Sequence, residues 1–252
     1  MSIFSKIKSM FSKDTVTVTV TYTDGPYRKL EPRLEMIDIG GYVSPSGGYG
    51  NFAVYEVKGI NPSTNRINTR KFKAVSESRA IEAMKKEGFV EPFTISVLPV
   101  ELPSEDFMKE VAEDLEITLP EGLSYEDLYT INNAARFDDT AMPSAGIVKF
   151  AMDMGVCFSR FIGEWSLESA IANALDDKMR ASLYAYIKIQ KESGLPIEDI
   201  RESDRYEKYC EFGEKASDNR RIMEIVNSYF GGHDTYLHGN SNAYKLLEMC
   251  RK

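Results

Sequence analysis

The chain's two histidines, His233 and His238, lie in the stretch GGHDTYLHG (231–239), with Asp234 directly after the first. Imidazole beside a carboxylate can ligate a metal ion or carry protons near neutral pH, so His233, Asp234 and His238 are the candidate catalytic residues of a small metal-dependent hydrolase. The glycines on both sides suit a plain surface turn equally well. The thiols do not complete a site. Cys157, Cys210 and Cys250 stand 53 and 40 residues apart, which is neither a zinc-knuckle spacing nor a disulfide framework. A nucleophile at Cys157 would have to borrow a histidine from that loop, and no nucleophile signature surrounds it. Phosphate-loop, nucleophile-elbow and kinase motifs are absent. No metal and no cofactor is assigned, and a non-catalytic protein is favoured over an enzyme.

The more pronounced chemistry is charge. The formal net charge of −8 is unevenly spread: residues 1–100 carry 14 Lys or Arg against 10 Asp or Glu, residues 101–178 carry 5 against 17, and residues 179–252 carry 12 of each. The acidity therefore belongs to the middle of the chain, where it repels nucleic acid and favours a basic protein partner. Glu105, Asp106, Glu113, Asp114, Glu126, Asp127, Asp138 and Asp139 are the candidate partner-binding residues. Several of them sit where helices should begin, so capping explains them too. The opposite balance supports an alternative. Arg28, Lys29, Arg66, Arg70, Lys71 and Lys73, with nearby tyrosines, could bind nucleic acid through the basic N-terminal part.

Two further segments could bind. Residues 1–12, MSIFSKIKSMFS, put Ile3, Phe4, Ile7, Met10 and Phe11 at helical spacing with Lys6 and Lys8 off that stripe, a basic amphipathic pattern suited to a partner's groove or a membrane surface. A docked terminal helix of the chain's own domain explains the same pattern and is preferred to membrane contact. Gly40–Asn51, GGYVSPSGGYGN, reads as a long flexible loop or hairpin tip, with a phosphate cradle as the sharper reading of its glycines.

These residues need elements to position them. Residues 15–23, TVTVTVTYT, alternate as a half-buried strand does. Phe52–Ile60 and Ile67–Val75 predict two strands joined by a turn at 61–65. A helix over Glu77–Glu87 capped by Ser76 follows, burying Ala80, Ile81 and Met84, and then a strand over Phe93–Val100. Pro103-Ser104 and Pro143-Ser144 lie 40 residues apart, and each opens a helix on a serine cap. The first helix should bury Phe107, Met108, Val111, Ala112 and Leu115; the second, Ile147, Val148, Ala151 and Met152. An extended link follows each, the second two residues longer, and a short closing helix is expected from Ser124 in one copy and Ser166 in the other. Helices over 176–193, 205–212, 219–230 and 242–250 complete the chain. Tyr184, Tyr186, Tyr236 and Tyr244 are divided between a partner surface and the core, with the core favoured.

The run AVSESRAIEAMKKEGF (74–89) and the elements around it resemble small ββαβ modules appended to many bacterial proteins, including the N-terminal part of type II secretion F-type proteins; that resemblance implies a fold and no activity. The two helix–link–helix copies at 103–175 resemble the helix–extended–helix group that includes SAP, LEM and Rho N-terminal modules. The second copy, PSAGIVKFAMDMGV, is similar to a variant carried by bacterial and phage-encoded proteins. SAP modules bind DNA through basic helix starts and LEM modules bind protein. The helix starts of the first copy hold carboxylates and that of the second the neutral Ala145 and Gly146, so the resemblance implies the protein-binding branch. His233-Asp234 looks like the paired core of HD phosphohydrolases, but the upstream histidines that family needs do not exist here.

The expected fold is α+β: an N-terminal β-rich domain with one helix, then an all-helical C-terminal half holding the two-copy repeat. The expected divisions are an amphipathic segment 1–14, an α+β domain 15–100, the acidic repeat 101–175 and a helical region 176–252. The absence of a signal sequence, of any 18-residue apolar run and of paired cysteines points to a cytoplasmic protein. The expected function is an adaptor or phage-type inhibitor that engages a protein partner.

Overall fold

A computed structural model describes residues 32–232 and 241–251. The architecture is α+β, with one antiparallel sheet in the N-terminal half and, among the described residues, helices throughout the C-terminal half. Strands β1 (Ala53–Asn61), β2 (Arg66–Ala74) and β3 (Val90–Leu98) form a sheet in the order β2-β1-β3, and helix α1 (Glu77–Lys86) lies between β2 and β3 in sequence. The register pairs Val57 with Arg70 on one side and with Ile95 on the other. Alternation sends Ala53, Tyr55 and Val57 to the face covered by α1, where they pack with Ala80 and Met84. Ser76 caps α1 through the Arg79 N–H, as its position before an amphipathic run predicts, while Ile81 is half-buried rather than part of that core.

The repeat is present as two helix pairs: α2 (Glu105–Leu115) with α3 (Tyr125–Arg136), and α4 (Ala145–Met154) with α5 (Glu164–Ala174). Ser104 and Ser144 cap α2 and α4 identically, each accepting from the N–H three residues on, at 3.3 and 3.2 Å. Each opening helix ends on a left-handed residue, Glu116 (φ 59°) and Gly155 (φ 75°). The links are equal in length, because α5 begins at Glu164, before Ser166. Gly163 is the boundary residue of α5 and has no side chain with which to cap. Val111 and Leu115 are buried in α2 and Ile147, Val148 and Ala151 in α4, whereas Phe107, Met108, Ala112 and Met152 are half-buried.

Helix α6 (Asp177–Glu192) is the axis of the remainder. Every side chain from Ala181 to Ile187 is buried on it, so it is covered on all sides, unlike a helix with one apolar stripe. Around it pack α7 (Tyr206–Ser217), α8 (Arg220–Phe230) and α9 (Asn242–Arg251). Tyr184 meets Tyr229 edge-on with ring centroids 5.3 Å apart, and Tyr186 meets Tyr209 at 5.4 Å. Both α6 tyrosines therefore belong to the core; Tyr244 is half-buried, and Tyr236 lies outside the described residues.

The segment before the sheet joins the helical half. Ile37 and Ile39 are buried in the same apolar cluster as α4 to α9, and Leu34 and Tyr49 pack on the cluster made by α2 and α3. The 40–51 stretch is exposed at Gly40, Gly41, Gly47 and Gly48, and its far end is hydrogen-bonded into the fold. Asn51 donates to the Val156 carbonyl and accepts from the Phe158 N–H, Gly50 bridges to Ser159, and Ser44 donates to the Phe52 carbonyl. Asn51 and Gly50 thereby fasten the start of the sheet to the link of the second helix pair. The 1–14 segment and the 15–23 strand pattern lie outside the described residues, and no described helix is long and apolar enough to cross a membrane.

Candidate functional site: an acidic helix face and an aromatic cleft

Helix α2 turns Val111 and Leu115 inward, so the positions opposite them face solvent. Asp106, Glu110 and Asp114 form a stripe at four-residue spacing along that outer surface, flanked by Glu105 and Glu113, and all five are exposed. Lys109 is the one cation between residues 101 and 121, and it reaches Glu113 only at 3.9 Å. Forty residues later the same three positions are Gly146, Phe150 and Met154. There the stripe is covered. Phe150 is 1% exposed with the Arg201 guanidinium 4.9 Å from its ring centre, and Met154 packs on the main core. A Cβ on Gly146 would stand 3.0 Å from the Glu198 Cα, so the absence of a side chain there lets the two backbones approach closely.

The remaining acidic candidates are placed differently. Asp127 is fully buried: one carboxylate oxygen accepts from Ser124 N–H (3.0 Å) and Ser124 Oγ (2.6 Å), the other from Ser159 Oγ (2.6 Å). It closes a capping box on α3 and ties that helix to the link of the second pair, so it is not a surface ligand. Asp139, also buried, accepts from the N–H groups of Trp165 and Ser166, both at 2.9 Å. It supplies the cap that Gly163 cannot, and a Cβ on Gly163 would collide with the Asp139 backbone oxygen at 2.0 Å. Both buried carboxylates thus correct the expectation of a partner-binding surface at those two positions. Glu126 is half-buried and ion-paired with Lys73, joining α3 to the sheet. Glu105, Asp106, Glu113, Asp114 and Asp138 remain on the surface, and Glu110, on the same stripe, was not singled out from the sequence.

The acidic stripe leads to a cleft. Asp114 lies 3.5 Å from the Arg136 guanidinium, and the next two residues, Phe137 and Asp138, form one edge of an open depression of about 870 Å³. Trp165, Tyr229, Lys191 and Glu192 contribute to its other walls. Behind it, Glu168 on α5 has no exposed surface and accepts from Lys191 Nζ at 3.0 Å, while its other carboxylate oxygen has no hydrogen-bond partner. Burial pushes this carboxyl up to about 7, against the pull of Lys191. Burial also works against the Lys191 charge, but Glu168, Tyr229 and Glu164 together leave its pKa raised.

The basic cluster is divided by the sheet's alternation. Arg70 pairs with Glu87 at the end of α1, at 3.2 Å; Lys71 points to the opposite face; and Lys73 is taken by Glu126. Arg66 is exposed at the start of β2, and Arg28 and Lys29 lie outside the described residues. Arg66, Arg70, Lys71 and Lys73 therefore do not converge on one surface. His233, Asp234 and His238 lie outside the described residues as well, and among those described no group of His, Cys, Asp or Glu is placed to hold a metal ion. Burial raises the Cys157 and Cys250 thiols to about 11 each, so both stay protonated and weakly nucleophilic at neutral pH. Compared with protein-family models, curated proteins and solved structures, the chain matches none.

Proposed function

We propose that this is a non-catalytic binding protein that engages a basic protein partner in the cytoplasm, as an adaptor or an inhibitor. The observation that carries this reading is the Asp106–Glu110–Asp114 stripe. The same face of the second helix pair is covered by the connection between α6 and α7, through Glu198 and Arg201, while in the first pair it is exposed and lined with carboxylates. Complementary charge steers a basic partner and sets its register. The neighbouring cleft with Phe137, Trp165 and Tyr229 offers the aromatic pocket in which binding energy usually concentrates.

The test is affinity capture from source-cell lysate with the wild-type chain and with a Glu105→Lys, Glu110→Lys, Asp114→Lys variant. A nuclease-resistant partner retained by the wild type and reduced at least about tenfold by the variant is expected, since rim charges govern encounter and several are reversed together. Equal capture by both chains, or loss of the partner on nuclease treatment, would overturn the reading.

A further inference from the structure

Lys191 belongs to two places at once. Its side chain contributes to the cleft wall, while its ammonium donates to Glu168 Oε2 at 3.0 Å and lies 3.6 Å from Glu164 Oε1. Glu164 and Glu168 are about one helical turn apart on α5, so two carboxylates share a single cation. Their environments differ. Glu164 is partly exposed and keeps water as an alternative partner, whereas Glu168 has no exposed surface and its Oε1 has no hydrogen-bond partner among the described residues. A buried carboxylate with half of its acceptor capacity unused is costly as an anion and much less so as a neutral acid.

The surrounding charges leave Lys191 as the counter-ion of Glu168. Glu164 on α5 and Asp139 in the α3–α4 connection also act on Glu168, and both oppose its ionisation. On α6, Lys188 and Glu192 line the cleft with Lys191, and Glu192 is paired with Arg251 of α9; Asp177, Lys178 and Arg180 stand at the other end of that helix. Tyr229 of α8 acts on Lys191, while Arg220 pairs with Glu224 and Arg221 is exposed. The charged side chains of α4 are engaged elsewhere, Lys149 with Glu202 and Asp153 with Arg201. We propose that Glu168 and Lys191 form a proton-operated switch of the cleft's charge. With Glu168 ionised, the ammonium is neutralised from behind. A proton on Glu168 cancels that neutralisation, and the Lys191 charge, still held by Glu164, is then presented to the cleft. Burial places the exchange near neutrality, because it pushes the Glu168 carboxyl up to about 7 against the pull of Lys191. The cleft therefore gains one positive charge as pH falls through this range. A basic partner binds it less well below that pH; this consequence rests on the function proposed above, and the switch itself does not.

Trp165, the chain's only tryptophan, is half-buried in the cleft wall and reads the change directly. Iodide and caesium ions quench its fluorescence with opposite sensitivity to local charge, and acrylamide is a neutral control. In the full chain at constant ionic strength, iodide quenching is expected to rise about twofold between pH 8 and pH 6 and caesium quenching to fall, with acrylamide quenching constant. Glu168→Gln fixes the uncharged state, so its profile should be flat at the level the wild type reaches at pH 6. Lys191→Met removes the cation that holds the carboxyl down and should move the midpoint above 7. Imidazoles titrate in the same range, so a His233→Gln, His238→Gln chain should keep the transition. A flat wild-type profile, a transition unchanged in Glu168→Gln, a midpoint unmoved in Lys191→Met or a transition that vanishes with the histidines would each overturn the switch. So would acrylamide quenching that rises in step with iodide, because the cleft would then be opening rather than changing charge. The two readings fail separately. Capture that depends on the α2 charges, with a flat quenching profile, removes the switch and keeps the function. A transition at Glu168 without charge-dependent capture does the reverse.

Discussion

The two helix pairs begin from the same local instructions and reach opposite ends. Both open on Pro-Ser, both cap with the serine hydroxyl, both turn left-handed at the end of the first helix, and both cross links of equal length. Yet α4 is buried on two sides and α2 on one. Three positions account for the difference: Asp106, Glu110 and Asp114 in the first pair correspond to Gly146, Phe150 and Met154 in the second. Small and apolar side chains there let the connection between α6 and α7 close over the second pair through Glu198 and Arg201. Carboxylates in the same places cannot be buried unpaired, so the first pair keeps that face in water. A repeat thus yields one internal docking surface and one external one by changing a single stripe.

The largest test of this comparison is Phe150→Ala against Glu110→Ala. Losing the buried ring should cost about 3–5 kcal/mol in urea unfolding, since it leaves a cavity in the main core. Comparable costs at the two positions would break the assignment of one stripe to the core and the other to solvent.

Glu168 sharpens the contrast by pH, because it is the carboxylate that the second pair does bury. Its pKa is raised in the folded state to about 7, so the folded chain holds the proton more tightly than the unfolded chain does. The associated stability is present below the ordinary carboxylate range and is lost as pH rises through about 7. Between pH 4.5 and 8 the wild type should lose up to about 3 kcal/mol relative to Glu168→Gln, at about 1.4 kcal/mol per unit. Parallel unfolding curves for the two chains across that range would rule out a buried proton at this site.

A smaller effect is expected at the caps. Asp139→Ala removes the acceptor for two N–H groups at the start of α5 and should cost about 1–2 kcal/mol, with Ser124→Ala at the start of α3 costing about 1 kcal/mol. Thermal or urea unfolding of both variants measures whether a cap borrowed from outside the helix does the work of a local one. An Asp139→Ala loss well below that of Ser124→Ala would show that it does not.

The smallest expected effect is that of Glu110→Ala itself, within about 0.5 kcal/mol of wild type, as for other exposed substitutions with no buried partner. A larger loss in the same urea experiment would mean that the stripe carries a structural role.

Much of the fold was legible because it is written in local signals. The strands at 52–60 and 67–75, the turn at 61–65, Ser76, Ser104, Ser124 and Ser144 as caps, and the apolar stripes of α1, α2 and α4 each depend on residues a few positions apart. The site was legible in part. Charge counting located the acidic surface, and helical spacing separates its outward stripe from the buried side. Burial of Asp127 and Asp139 was not visible, because their partners Ser159 and Trp165 are 32 and 26 residues away in sequence. The start of α5 was misplaced for the same reason. A local capping rule looks for a serine and finds Ser166, while the helix is in fact started by a carboxylate from another connection.

By itself, then, the amino-acid sequence determines most of the secondary structure, the matching Pro-Ser openings of the two helix pairs and the concentration of negative charge, since these follow from neighbouring side chains and short-range periodicity. Tertiary structure alone decided which carboxylates are spent as caps and that Gly50 and Asn51 fasten the loop to the second helix pair. It also split the basic residues of β2 between two faces and brought Phe137, Trp165 and Tyr229 to one cleft beside the acidic helix. Those outcomes depend on contacts between residues far apart in the chain, and whether a polar group stays in water or must find a partner is settled only when the core closes around it.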